Sequence, residues 1–145
     1  MTVNDPQEPT WTSSDAWFLT AAWWANHEVK PAPLDRIIGA GDALNHSIFI
    51  REEIVQAVSR LRAAELIELD GRRFRVTDRA DELLKSADRY GFILHRTERE
   101  LRTVSFPASI DEFGISEDEF KDAVETYHRR AQETLRRIRG AESGD

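Results

Sequence analysis

The sequence predicts a mainly helical protein with one small β-hairpin. In several segments, apolar residues recur every three or four positions, which is the spacing of an α-helix with one buried face. One stretch, residues 66–76, alternates around Asp70-Gly71 in the manner of a hairpin. With 145 residues, 40% hydrophobic and 32% charged, the chain has the size and composition of one ordinary globular domain.

The first helix is predicted from Asp15 to Val29. Residues 1–12 precede it and are predicted to form a disordered N-terminal arm. Ser13 or Ser14 offers an N-cap, and the carboxylate of Asp15 is favourable in a first turn. Apolar residues lie on more than one side of this helix, which is typical of a helix buried on more than one side: Trp17, Phe18, Leu19, Ala21, Trp23, Trp24 and Ala25. We therefore expect it at the centre of the core or against a second subunit.

Two further helices are predicted before the hairpin. Residues 34–45 form the second helix, although Gly39 and Gly41 each cost about 1 kcal/mol relative to alanine. Residues 45–50 form a turn, and residues 51–64 form the third helix. Its buried stripe is Ile54, Val55, Val58 and Leu61.

The hairpin is predicted with Asp70-Gly71 as a two-residue loop, because this dipeptide tolerates positive φ values. In that register Leu69 faces Arg72, Glu68 faces Arg73 and Ile67 faces Phe74. The apolar residues Ile67, Leu69, Phe74 and Val76 then share the core side.

The remainder is predicted to be helical. Thr77 or Asp78 caps a fourth helix, residues 92–104 form a fifth, and residues 105–114 form a loop. Ser116-Glu117-Asp118-Glu119 is a capping box that opens a last helix, which ends before a polar, flexible tail at residues 140–145. The last helix carries one apolar stripe: Phe120, Val124, Tyr127, Ala131, Leu135 and Ile138. This stripe either folds back onto the core or pairs with the first helix of a twin subunit, and its length favours a homodimer.

Two stretches resemble the winged helix-turn-helix superfamily. Residues 52–68 resemble a recognition helix and first wing strand, with Glu65 where glycine is common. Residues 74–84 resemble a second wing strand and the following helix, with Ala80 where glycine is common. The match covers about residues 14–88 and is similar to the MarR and PadR groups of bacterial regulators. It implies a winged helix-turn-helix domain at residues 13–90 and a C-terminal helical extension for dimerisation at residues 91–139.

The resemblance implies a dimeric transcriptional regulator that binds duplex DNA. Side chains opposite the buried stripe of the third helix would face the bases, where glutamine pairs with adenine and arginine with guanine. Wing arginines would contact phosphates or the minor groove. The candidates are Gln56, Ser59 and Arg60 for the bases, and Arg72, Arg73 and Arg75 for the backbone. Alternatively, the wing arginines are a solvated surface balanced by Glu68 and Asp70.

The charge of the chain leaves a second hypothesis open. The net charge is −7, whereas nucleic-acid binders usually show a basic footprint. Residues 51–85 nevertheless carry eight basic and eight acidic side chains. Glu52 and Glu53 suit a helix N-terminus, but they also repel phosphate. The alternative is therefore a winged-helix interaction module without DNA binding, whose acidic faces meet a basic protein partner.

Other classes of function find no support in the sequence. No apolar run is long enough to span a membrane, the polar first ten residues argue against a secretory signal, and a cytoplasmic protein is expected. Zero cysteines exclude disulfides and thiolate chemistry, and four scattered histidines predict no metal site. No nucleophile constellation or phosphate loop is present, so we expect neither an enzyme nor a cofactor. The tryptophans of the first helix either line a ligand pocket or fill the core.

Overall fold

Six α-helices and a three-stranded antiparallel sheet make up the part of the chain that the computed structural model describes, residues 10–89 and 91–143. The predicted mainly helical class with a small β element is confirmed. Most of the predicted N-terminal arm lies outside the described residues. In chain order the elements are α1 (Ser13–Glu28), β1 (Ala32–Pro33), α2 (Leu34–Asn45), α3 (Arg51–Ala63), β2 (Ile67–Asp70), β3 (Arg73–Val76), α4 (Asp78–Asp88), α5 (Ile93–Leu101) and α6 (Glu117–Ser143).

Helix α1 lies at the centre of the core, and every residue from Asp15 to Trp23 is buried. Its predicted N-cap is wrong, because the cap is Thr12. The Thr12 hydroxyl accepts a hydrogen bond from the Asp15 amide (3.3 Å), and the Asp15 carboxylate accepts one from the Thr12 amide (2.8 Å). This reciprocal pair needs a carboxylate three residues after the cap, and only Thr12 has one at that spacing.

The glycines of α2 make room for aromatic rings. A Cβ atom on Gly41 would lie 2.9 Å from Cζ of Phe49, which stacks on Trp17 with ring centroids 3.8 Å apart. A Cβ atom on Gly39 would lie 3.0 Å from the ring of Tyr127 in α6. The residues that weaken α2 as a helix therefore allow two close packing contacts, and the predicted bounds of this helix are confirmed.

The hairpin forms where predicted, but its predicted register is wrong. Asp70 pairs with Arg73, so the loop is Gly71-Arg72. Gly71 has a φ of 61°, which suits a two-residue turn with glycine in the first position.

The observed register matches apolar residues across the two strands. Leu69 lies opposite Phe74 and Ile67 opposite Val76, whereas the predicted register placed Leu69 opposite Arg72. Pairing apolar with apolar side chains on the buried face sets the register. Strand β1, which the sequence did not predict, pairs with the other edge of β3.

The last three helices differ from prediction mainly at their ends. Thr77 caps α4 and Ser116 caps α6, as predicted. Helix α5 (Ile93–Leu101) is shorter than predicted by one residue at its start, where Phe92 has a positive φ of 54°, and by three residues at its end. Helix α6 continues to Ser143, so a flexible tail starting at residue 140 is wrong for residues 140–143, and the last two residues lie outside the described part.

Helix α6 runs antiparallel to α2 and packs on it through its first half. The Tyr127 hydroxyl donates to the Asp42 carboxylate (2.5 Å), and Arg130 pairs with Asp35. Burial, followed by the hydrogen bond to Asp42, raises the pKa of Tyr127 to about 12. The apolar stripe thus folds back onto the core as far as Tyr127.

Candidate nucleic-acid interface: α3 and the hairpin

Helix α3 presents the predicted faces with two exceptions, because Val55, predicted to be buried, is half-buried and Ser59, predicted to face outwards, is buried. Ile54, Val58 and Leu61 are buried, and the opposite ridge points outwards. Of the three base-facing candidates, only Gln56 is exposed, with its amide nitrogen 3.5 Å from the Thr12 hydroxyl.

Ser59 is a buried residue of α3, although it was predicted to face the bases. Its hydroxyl donates to the carbonyl of Val55 (2.6 Å) and accepts a hydrogen bond from the amide of Phe113 (2.8 Å). With both interactions made inside the chain, this hydroxyl does not reach a base in this arrangement.

Arg60 is engaged with the N-terminal side of the fold. Its guanidinium pairs with the fully buried carboxylate of Asp15 (3.1 Å) and donates to the carbonyl of Thr10 (3.1 Å). It also lies 5.6 Å from the ring centroid of Phe106. Because an unpaired buried carboxylate is costly, the geometry gives Arg60 a structural role.

The loop between α5 and α6, residues 105–116, lies along one side of α3, and we call it the strap. Arg62 near the end of α3 donates to the carbonyl of Asp111 (3.3 Å), and Arg51 at its start donates to the carbonyl of Ile115 (2.7 Å). The strap therefore runs antiparallel to α3, and its residues 111–115 cover nearly the whole length of the helix. Phe113 and Ile115 anchor it in the core, each with 3% of its surface exposed.

The strap changes what α3 can enter. A helix with its side chains is about 10–12 Å across, and the major groove of B-DNA is about 12 Å wide. The groove therefore accepts a helix whose two flanks are clear. In this structure residues 111–115 of the strap lie against α3, and Arg60 is covered by Thr10 and by Phe106 at the start of the strap.

Arg72 of the hairpin is held by the strap and by α6. Its guanidinium donates to both carboxylate oxygens of Glu119 (2.8 Å each) and to the carbonyl of Gly114 (2.9 Å). It also lies 5.1 Å from the ring centroid of Phe113. A bidentate arginine–carboxylate pair is among the stronger ion-pair geometries, so Arg72 fixes the hairpin to the strap.

The other two candidate arginines of the hairpin are less constrained. Arg73 is exposed and donates to the carbonyl of Pro31 (3.3 Å). Arg75 lies opposite Glu68, which the predicted register had paired with Arg73, and its guanidinium is 3.7 Å from the Asp70 carboxylate. The acidic residues expected to balance the wing are thus both next to Arg75.

The two glutamates at the start of α3 differ in role. The Glu53 carboxylate accepts hydrogen bonds from the amide of Ile50 (2.9 Å) and the hydroxyl of Ser14 (2.5 Å). It therefore accepts a hydrogen bond from a free backbone amide at the N-terminus of α3, which is one of the two roles predicted for this residue. Glu52 is exposed on the outward ridge beside Gln56.

Acidic side chains are concentrated at the end of the strap and the start of α6. Residues 111–125, which cover the end of the strap and the start of α6, contain seven acidic residues and one basic residue. All seven carboxylates belong to exposed residues. Two of them, Asp111 and Glu112, lie on the strap beside α3, close to Arg62 and Arg51, so the surface next to α3 carries both signs of charge.

Other kinds of site find little support in the described residues. Trp17 and Trp23 are core residues, whose indole N–H groups donate to the Gly41 carbonyl (2.9 Å) and the Asp81 carboxylate (2.8 Å). Residues 10–89 and 91–143 contain no group of three or more His, Asp or Glu side chains that could hold a metal ion. Within the same ranges, no helix has both the length and the apolar character to cross a membrane.

Sequence reasoning missed the strap. The signal in the sequence is that Phe113 and Ile115 are apolar and two residues apart, directly after Asp111-Glu112. Comparison with protein-family models, curated proteins and solved structures gives no match to this chain.

Proposed function

We propose that this chain is a winged-helix protein-interaction module that does not bind DNA through α3. The order α1, α2, α3, hairpin, α4 agrees with the winged-helix resemblance of its sequence. The observation that carries the proposal is the strap, which occupies one flank of the helix that would read the bases.

Displacing the strap for DNA is unfavourable. Phe113 and Ile115 would both return to water, and full burial of such side chains is worth about 1.5–3 kcal/mol each. Arg72 would also lose its hydrogen bond to the Gly114 carbonyl and its contact with the Phe113 ring. DNA would have to compensate these losses while approaching Asp111 and Glu112, the exposed acidic residues of the strap beside α3.

The same carboxylates favour a basic protein partner. Complementary charge speeds association and selects between partners. The face that this module would present consists of the end of the strap and the start of α6, residues 111–125. We therefore expect the partner to carry lysine or arginine residues on a segment that can lie along this face.

The test is a fluorescence-anisotropy titration of a random-sequence duplex at about 50 and 200 mM salt, a range over which phosphate-driven binding falls steeply. We expect no binding at either concentration. The competing hypothesis is a dimeric DNA-binding regulator, which the exposed Arg73 favours. It predicts salt-sensitive binding that is lost when Arg72, Arg73 and Arg75 are all replaced by alanine, and that result would refute our proposal.

The positive test uses the partner. A protein that co-purifies from the native cell is expressed separately, and its affinity is measured for the wild-type chain and for the triple variant Asp118→Asn, Asp122→Asn, Glu125→Gln. We expect weaker binding and a smaller salt dependence for the variant. The matched control neutralises Asp88 and Glu82 on α4, which are exposed elsewhere on the chain, and leaves the affinity unchanged.

A further inference from the structure

Three of the five large apolar side chains that are exposed among the described residues lie on one side of the molecule. Leu135 and Ile138 of α6 are 52% and 49% exposed, and Trp24 of α1 is 41% exposed. Trp24 and Leu135 line the same open groove of about 620 Å³ between α1, α2 and α6. Exposed apolar side chains that cluster in this way, unlike scattered ones, are typical of an interaction surface.

The second half of α6 extends beyond the body that supports the first half. Arg130 pairs with Asp35, which is already at the start of α2. Residues 129–143, which we call the C-terminal segment, span about 22 Å at 1.5 Å per residue. Every residue from 132 to 141 is exposed. Leu135 still lines the groove, whereas Ile138 lies one turn further along this projecting helix.

The flanks of the apolar stripe on this segment are basic. Arg137 and Arg139 stand directly before and after Ile138 in the sequence. Because neighbouring residues of an α-helix are rotated by about 100°, these two arginines lie on either side of the stripe. Glu133 precedes Leu135 by two residues, and it therefore lies about 200° away, on the opposite side of the helix.

The charge of this part of the chain is divided between the two ends of α6. The C-terminal segment contains five arginines and two glutamates, a net charge of +3, whereas residues 111–125 contain seven acidic residues and one basic residue, a net charge of −6. Glu125 lies 11 residues before Arg136, which is about 16 Å along the helix. The Debye length at physiological salt is about 8–10 Å. The acidic region is therefore largely screened from an anionic surface that the arginines approach.

The surface of a lipid bilayer matches this arrangement better than a protein or a duplex does. A helix of another protein that filled the groove would cover Trp24 and Leu135 but leave Ile138 in water. A nucleic acid would engage the arginines through its phosphates and leave the apolar stripe uncovered. A bilayer surface accommodates both, because a basic amphipathic helix buries its apolar face at the level of the headgroups while its long arginine side chains reach the phosphates. Tryptophan is also enriched at this level.

We infer that the C-terminal segment of α6 binds the surface of a membrane that contains anionic phospholipids, and lies along it as a peripheral helix. Leu135 and Ile138 enter the headgroup region, Trp24 contributes from the neighbouring wall of the groove, and the flanking arginines contact lipid phosphates. The contact requires no helix that crosses the membrane. It uses the end of α6 remote from residues 111–125, so it is independent of what the strap and the start of α6 bind.

The first experiment is co-sedimentation of the full chain with phosphatidylcholine vesicles that contain about 30% phosphatidylserine. We expect binding that weakens as the salt concentration rises, and binding to pure phosphatidylcholine that is at least about tenfold weaker. The double variant Leu135→Gln, Ile138→Gln keeps good helix formers and is expected to bind the anionic vesicles at least about tenfold more weakly. The matched control Ile50→Gln, Phe92→Gln removes two apolar side chains that are 56% and 84% exposed elsewhere, and is expected to bind as the wild type does.

The second experiment tests the arginines with the same vesicles. One triple variant removes the charges beside the stripe: Arg136→Gln, Arg137→Gln, Arg139→Gln. A matched control removes three exposed charges elsewhere: Arg73→Gln, Arg99→Gln, Arg102→Gln. Because each arginine near an anionic surface strengthens binding about fivefold, we expect the first variant to bind at least about tenfold more weakly and the control to bind as the wild type does. Equal urea midpoints for all variants would exclude unfolding as the cause.

Three results would overturn the inference. The first is an absence of binding to the anionic vesicles at about 50 mM salt, where electrostatic attraction is only weakly screened. The second is binding that is unchanged in the Leu135→Gln, Ile138→Gln variant, since the arginines alone would then account for it. The third is binding of a random-sequence duplex that is as strong as binding of the vesicles and is lost in the arginine variant, which would assign the segment to nucleic acid.

Discussion

Phe113 anchors the strap, and its replacement by alanine tests whether the strap belongs to the core. The side chain has 3% of its surface exposed, and its ring centroid lies 5.7 Å from that of Phe74 and 5.1 Å from the Arg72 guanidinium. Truncation of a buried phenylalanine costs about 3–5 kcal/mol. Because two aromatic and cationic contacts are lost together with the burial, we expect Phe113→Ala to lower the free energy of unfolding by about 4 kcal/mol.

Urea unfolding followed by tryptophan fluorescence measures this loss, since Trp17 and Trp23 report the core. Phe92→Ala is the matched control, and its exposed side chain predicts a change of less than about 0.5 kcal/mol. A loss below about 1 kcal/mol for Phe113→Ala would mean that the strap detaches without disturbing the core. The argument that the strap excludes DNA from α3 would then fail.

Three further changes test other parts of the fold, each by urea unfolding. Glu65 is exposed and has a φ of 59°, a left-handed conformation that glycine adopts more easily. Glu65→Gly is therefore expected to stabilise the protein by about 0.5–1 kcal/mol, and a lower urea midpoint for the variant would contradict this. Gly41→Ala is expected to destabilise by about 1–3 kcal/mol, because the new Cβ overlaps Phe49, and an unchanged midpoint would show that the ring yields freely. The hydrogen bond from Trp23, followed by that from Lys85, lowers the pKa of Asp81 below its ordinary value of 3.8. The stability that this carboxylate contributes is present above that value and is lost as the pH falls through the lowered pKa, so the advantage of wild type over Asp81→Asn is expected to shrink below about pH 4. An advantage that stays constant from pH 6 to pH 3 would exclude this effect.

Local signals in the sequence predicted most of the elements. The Thr77 cap and the capping box at Ser116 each act within a few residues of the chain, so they could be recognised without knowing the fold. The hairpin shows the limit of such signals. Asp70-Gly71 indicated where the chain turns, but the register depended on matching Leu69 with Phe74 across the strands.

The candidate site was harder to predict, because its character depends on contacts between distant segments. The helical stripe of Ile54, Val58 and Leu61 correctly indicated the face that α3 buries against the core. It carried no information about the strap, whose residue Phe113 donates a hydrogen bond to Ser59 from 54 residues further along the chain. The sequence therefore identified the arginine positions of the hairpin but not that Glu119 would hold Arg72.

The central claim is that the strap covers one flank of α3, and thiol labelling tests it most directly. The chain has no cysteine, so Ser59→Cys introduces one thiol under the strap, and Gln56→Cys introduces one on the exposed ridge of the same helix. We predict that the thiol at position 59 reacts with a water-soluble thiol reagent at least 100-fold more slowly than the thiol at position 56. Equal rates in folded proteins of equal stability would show that the strap leaves α3 open, and would contradict the account.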